Sequence, residues 1–402
     1  MRWVIIAVLL VSLGCSHEAA VPLQPRVSVT LPEDSREIES LTVELAEGLL
    51  ESGTKVLLLN SVPTLSPDVA AVLARHDGWM ELNGLKTLTP EAAEALADHR
   101  GELCLSGLTT LSDEAAVNLW TNPAVILPKR FEPPKSNQGY KTLTKKMAAY
   151  LASQQGALEL NAVTSLSPEV AAVLARHEGG DLVLNGLTTL SPEVAEALAS
   201  HGENDPTKPG LYLCGITTLS PEAARAFARH EGMLHLDGLE LLSDDVAGEL
   251  AKHGGELFLD GVITLAPKTA EVLAVHRGGI SLNGLASLST ESALGLSRVT
   301  TSLRLDGLIL LPDTAAKALA QCSGSLSLNG LTTLTDKQAE AFAGHTADLC
   351  LSGLEVLSGI AAKHLAKHEG TLTLYGLTSL PYAGMAELRA NENIHLPEAL
   401  RR

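Results

Sequence analysis

Leucines recur along this chain in pairs separated by one variable residue, as in Leu257-Phe258-Leu259 and Leu303-Arg304-Leu305. That alternation predicts a short strand with one face buried, because successive side chains leave a strand on opposite sides. Each pair is followed by Asn-Gly, Asp-Gly or a close variant, then by two more Leu three residues apart, as in Leu82-Asn83-Gly84-Leu85 and Leu184-Asn185-Gly186-Leu187. The Gly is expected to supply a positive φ for a turn. A helix start comes next. Ser167-Pro168-Glu169, Ser191-Pro192-Glu193 and Ser220-Pro221-Glu222 place a hydroxyl at the N-cap, Pro in the first turn and an acid near the helix dipole's positive end. Ala195, Leu198 and Ala199 then mark one narrow apolar stripe. The segment closes on His-x-Gly, as in His76-Asp77-Gly78 and His253-Gly254-Gly255, read as a C-terminal cap.

This strand–turn–helix unit repeats about every 23 residues, about fourteen times. Its glycine stands at Gly84, Gly107 and Gly186, then in a regular series from Gly215 through Gly238, Gly261, Gly284, Gly307, Gly330 and Gly353 to Gly376. Ser61 and Ala162 replace it in two units, and a degraded unit lies near Leu127. A single unit cannot bury its own Leu face, whereas stacked units can. The expected fold is therefore α/β: a repeat solenoid with one parallel β-sheet and short helices on the opposite side. Residues 16–53 read as an N-terminal cap or linker, with a starter strand at Val27–Leu31 and an amphipathic stretch from Glu37 to Leu50. Residues 54–390 form the solenoid, interrupted by insertions at 120–142 and 203–209, and 391–402 supply a last strand and tail.

The L-x-L strand and the period resemble a divergent bacterial leucine-rich-repeat (LRR) family. One departure is clear. The Asn that the family carries three residues after the second strand Leu is absent, that place being Leu85 or Leu187, and Asn, Asp or Ser sits directly after the strand instead.

The first residues add an export signal. Arg2 precedes an apolar run from Trp3 to Leu13, and Ser12-Leu13-Gly14 lead into Cys15. The run is too short for a permanent span. It resembles the lipobox of bacterial lipoproteins, which implies lipidation at Cys15. Ser16 then points, by the same resemblance, to the outer membrane rather than retention at the inner one. The alternatives are a periplasmic or freely secreted chain.

Composition narrows the function. A net charge of −18 and an aromatic content of 3% exclude phosphate-backbone binding, which needs clustered Lys and Arg. They also exclude basic adsorption to lipid, leaving membrane contact only through the anchor. Cys104, Cys214, Cys322 and Cys350 make no CxxC pair, and no His/Cys spacing along the chain fits a metal site, so neither metal nor cofactor is expected. Nucleotide-binding, metalloprotease and hydrolase motifs are missing, and the expectation is a monomer that is not an enzyme. His76, His99, His177, His201, His230, His253, His276, His345 and His368 share one repeat position. A row at helix C-termini fits carbonyl binding and dipole complementation, but five crowded rings from His177 to His276 would repel as cations, so acid is expected to destabilise them. The residue between the paired Leu must face outward. It is Tyr212, His235 and Phe258 in three successive units, with Arg304 two units on. These four are the candidate ligand-binding residues for a protein, peptide or glycan, and the alternative is a spacer or surface-layer element without a specific ligand.

Overall fold

A computed structural model describes residues 35–131, 140–203 and 205–401. The lipidation residue Cys15 and the starter strand at Val27–Leu31 lie outside the described residues. Two compact units emerge, one up to residue 135 and one from 136 onward. The first holds a four-stranded parallel sheet and the second an eleven-stranded one, each in strict sequence order. The parallel ladder thus comes as two sheets rather than one.

Every strand is two or three residues long, and the register keeps Leu opposite Leu: Leu211 pairs with Leu234, Leu234 with Leu257, and Leu303 with Leu326. A phase slip of one residue would turn the whole inner face to solvent. Across these buried Leu lie the helices, whose Ala195, Leu198, Ala247 and Leu250 are also buried. Ser66, Ser167, Ser191, Ser220 and Ser243 each accept the amide three residues ahead, as N-caps. Ala266 and Pro312 hold the same position without a side-chain cap.

Two expectations about glycine are corrected. Among the described glycines only Gly53, Gly156, Gly179, Gly202 and Gly384 have positive φ, so the Asn-Gly glycine is not there for left-handed backbone, and of the His-x-Gly glycines only Gly179 adopts it. Close approach of coils is the cause. A Cβ on Gly261 would collide with the carbonyl oxygen of Asp237 one coil earlier, and one on Gly255 with that of Gly232. The exceptions fit this reason. Ser61 and Ala162 follow Val56–Leu58 and Leu158–Glu159, which among the described residues are the first strands of their sheets and pair with no earlier strand.

The residue after each strand fastens neighbouring coils. The Oδ1 of Asn60, Asn83, Asn185, Asp237, Asp260, Asn283, Asp306 and Asn329 accepts the backbone N–H of the equivalent residue one coil on, at 2.7–3.0 Å. The short Asn or Asp directly after the strand is therefore a ladder rung as well as part of the turn, which the amide of Leu85, Leu187 or Leu239 closes on the carbonyl three residues back.

Within the 203–209 insertion, residues 205–208 form a local turn. Asp205 accepts from the amide and hydroxyl of Thr207, and Lys208 pairs with Glu231 at 2.6 Å.

Candidate functional site

The paired Leu point inward: Leu211, Leu213, Leu234, Leu236, Leu257 and Leu259 are fully buried, and the residues between them are half-exposed on the other face. Parallel register puts Tyr212 beside His235 and His235 beside Phe258. The rings stack, with centroids 4.1 Å and 3.9 Å apart and planes within 9° of parallel. Strand spacing of about 4.8 Å sets this geometry, and each aromatic pair adds about 0.5–1.5 kcal/mol beyond burial. The structure therefore brings three of the four candidate residues into one patch. Both faces of the central His235 ring are spent on its two neighbours, however.

Arg304 lies two strands beyond Phe258, across Ser281. Its guanidinium sits 5.5 Å from the Phe258 ring centroid and reaches back to both Glu256 carboxylate oxygens at 3.3 and 3.4 Å. Beneath it Ser281 is buried and donates to Asp260 at 2.6 Å. Arg304 thus fixes the end of the stack, and Glu256 already engages its charge.

Two further residues join the patch: Asp237, which the sequence places after its strand on the same outward phase, and Cys214, which sequence reasoning did not assign. His235 Nδ1 lies 3.1 Å from Asp237 Oδ2, and Cys214 Sγ lies 3.4 Å from the same oxygen. Burial alone would raise the Asp237 carboxyl. Hydrogen bonds from His235, the Asp260 amide and Cys214 outweigh it, so the net shift is downward. Burial, reinforced by the Asp237 charge, pushes the Cys214 thiol up to about 11. The signal was present only between units, since Cys214 and Asp237 occupy the same repeat position one coil apart.

The nine repeated histidines form buried columns. Rings stack from His177 through His201, His230 and His253 to His276 at 5.7–6.3 Å, and as separate pairs at His76–His99 and His345–His368. Some of them meet carbonyls of the preceding coil, at the helix end and just beyond it: His177 faces the Ala152 and Gly156 carbonyls, and His368 those of Phe342 and Ala347. Burial lowers the pKa of His99, His201, His230, His253, His276 and His345, taking His201 to about 4 and His253 to about 3. These rings are neutral packing groups, not cationic caps.

A further surface was missed. Where other units carry Thr109-Thr110, Thr188-Thr189 or Thr217-Thr218, the middle of the second unit carries Leu241, Ile263, Ile309-Leu310 and Val356. Leu241 is 73% and Leu310 70% exposed, and the others are exposed as well. The row is interrupted by Ala286-Ser287 and Thr332-Thr333, but exposed aliphatics recurring at this pair of repeat positions are candidates for an interaction surface. Among the described residues no helix is long and apolar enough to cross a membrane.

No family profile and no curated protein matches the chain. Among solved structures it is similar to a leucine-rich-repeat protein of Leptospira interrogans, with 20% identity, 90% of this chain and 94% of that chain covered, and a TM-score of 0.38. It is also similar to an internalin of Listeria monocytogenes, with 11% identity, 89% of each chain covered and a TM-score of 0.34. The parallel register and the inward Leu phase, read from the chain itself, establish a leucine-rich-repeat-like solenoid of strand–helix units.

Proposed function

We propose that this is a non-enzymatic binding protein of the bacterial cell envelope, exported and anchored in the outer membrane through a lipidated Cys15. Its ligand face is the outward side of the second sheet around Tyr212, His235, Phe258 and Arg304, and its ligand is a polypeptide. One observation carries this reading. In a chain with 3% aromatics, three rings meet on consecutive strands and remain half-exposed, the kind of rigid amphipathic anchor that dominates interface energetics. A sugar would need a free ring face, and the stack leaves His235 with none. A peptide can lie along the ring edges, and the aliphatic row of Leu241, Ile263, Leu310 and Val356 extends its apolar contact area.

The test is affinity capture from envelope extracts on the immobilised chain, followed by direct titration of the captured partner. The triple variant Tyr212→Ala/His235→Ala/Phe258→Ala should keep its circular dichroism spectrum and lose the partner. Identical capture by both proteins would leave the spacer reading in its place. Palmitate labelling that persists in Cys15→Ala would remove the anchor.

A further inference from the structure

We infer that Cys214, His235 and Asp237 form a binding site for a divalent transition-metal ion of the zinc class, on the outward face of the second sheet. The site bridges two neighbouring coils: Cys214 comes from one, and His235 and Asp237 come from the next. It goes beyond the binding role proposed above and does not depend on any polypeptide partner.

Geometry is the first support. Cys214 Sγ, a His235 ring nitrogen and an Asp237 carboxylate oxygen all lie within 4.8 Å of one another. Zinc bond lengths of about 2.3 Å to sulfur and about 2.0–2.1 Å to nitrogen and oxygen, at tetrahedral angles, place N and O about 3.3 Å apart and S and O about 3.5 Å apart. The observed separations, 3.1 Å for Nδ1–Oδ2 and 3.4 Å for Sγ–Oδ2, are close to those edges. The third separation, from Cys214 Sγ to the His235 nitrogen, lies within 4.8 Å, and closing it toward the tetrahedral edge admits the ion.

The surroundings hold the donors in place. Asp237 Oδ1 accepts the Asp260 amide at 3.0 Å, which fixes the carboxylate plane and leaves Oδ2 for the site. The rings of Tyr212 and Phe258 clamp His235 from both sides and fix the direction of its in-plane lone pair. The Cys214 amide is tied to Asn185 Oδ1 at 2.9 Å. Outer contacts of this kind orient metal ligands and are worth about 10–100-fold in affinity.

Chemistry agrees with the placement. Thiolate, imidazole and carboxylate suit a borderline-soft ion, and one thiolate plus one carboxylate balance a divalent charge. On binding, the ion replaces the thiol proton, which passes to solvent, and His235 ligates through Nδ1 with its remaining proton on Nε2. The His235 and Asp237 side chains are 14% and 26% exposed, so the fourth position opens to solvent. From residue 185 to 329 every coil carries Asn or Asp at the rung position except at Cys214. A thiol there gives up the side-chain oxygen that the ladder uses, at the one coil whose next neighbour supplies both a histidine and an aspartate.

The full chain, stripped of metal with a chelator, should be titrated with Co²⁺. The expected result is a thiolate-to-cobalt charge-transfer band saturating at one ion per chain, with the visible absorption of a tetrahedral site, and both displaced by Zn²⁺. Cys214→Ser should abolish the charge-transfer band, Asp237→Asn should weaken binding at least tenfold, and Cys104→Ser should change nothing. Zn²⁺ should raise the melting temperature of the wild type but not of Cys214→Ser. A wild type with no such band, or a Cys214→Ser variant with the band intact, overturns the site. Partner capture plays no part in this readout, so failure of the polypeptide reading and failure of the metal site are separable.

Discussion

Lowering the pH from 7 to 5 should destabilise the second unit through its histidine column. His201 and His253 are each 1% exposed, and neither ring nitrogen of either residue has a hydrogen-bond partner. The Ala175 carbonyl faces His201, and the Gly232 and Gly255 carbonyls face His253, without completing one. Protonation puts charge where water cannot reach it, and each ring also meets like-charged neighbours: His230 and His177 for His201, His230 and His276 for His253. Asp181 opposes this only weakly at His201. The folded values, about 4 and about 3, therefore lie below the unfolded value of about 6.5.

The sign follows from proton uptake. The unfolded chain binds protons that the folded chain refuses, so stability is full above about pH 6.5 and falls as acid is added, until the folded values are reached. At pH 5 the medium is about 1.5 units below the unfolded value, and at about 1.4 kcal/mol per unit each ring forfeits about 2 kcal/mol. The two together forfeit about 4 kcal/mol, a large share of ordinary domain stability. Carboxylates with lowered values, such as Asp237 and Asp205, titrate below this window and leave it to the histidines. The assay is urea unfolding followed by circular dichroism at pH 7, 6 and 5. It should be repeated on His201→Val/His253→Val, because Val299 occupies the same repeat position and is fully buried. The wild type should lose stability steadily and the double variant much less. A wild type that gains stability toward pH 5, or a double variant with the wild-type pH slope, would refute the burial reasoning.

Three other perturbations test the packing. Gly261→Ala drives a Cβ into the Asp237 carbonyl and should cost about 1–3 kcal/mol or more, whereas Ala162→Gly, beside the first strand of its sheet, should cost less than about 1 kcal/mol. Equal urea midpoints for the two would count against close coil approach as the reason for glycine. Leu259→Ala, at a fully buried position, should cost about 2–5 kcal/mol. Hydrogen exchange should speed up first in the adjoining coils, and a uniform loss across all coils would contradict nearest-neighbour coupling. Ala266→Ser should supply the N-cap that the Pro267–Leu273 helix lacks and stabilise by about 1 kcal/mol, seen as a raised urea midpoint.

What the sequence made legible is what each unit needs for itself. The Leu phase, the Ser-Pro helix start and the outward placement of Tyr212, His235 and Phe258 follow from periods within one unit, and the structure shows all three. Contacts between units were not legible, because their partners stand about one repeat apart in the chain. The glycine that avoids the preceding carbonyl, the Asn and Asp rungs, and the histidines that bind the preceding coil's carbonyls all belong to this class. The division into two sheets is different, because it falls between Val125–Ile126 and Leu158–Glu159, where the sequence already breaks the rhythm of the repeat at 120–142.

An array also gives a sharp way to judge exceptions. A residue that departs from its repeat position is either relieved of the constraint or held to a different one. Ser61 and Ala162 are relieved, because they belong to the first strand of each sheet. Val299 and Cys322 interrupt the histidine column yet remain buried, and the Cys322 thiol donates to the Val299 carbonyl at 2.8 Å, so packing still explains them. Cys214 has neither excuse. Its strand is paired on both sides, it gives up the rung that an Asn or Asp would supply, and its sulfur faces His235 and Asp237 rather than the core. A position that replaces the Asn or Asp rung with a thiol bonded to the next coil's carboxylate is the place where a constraint other than folding has to be sought.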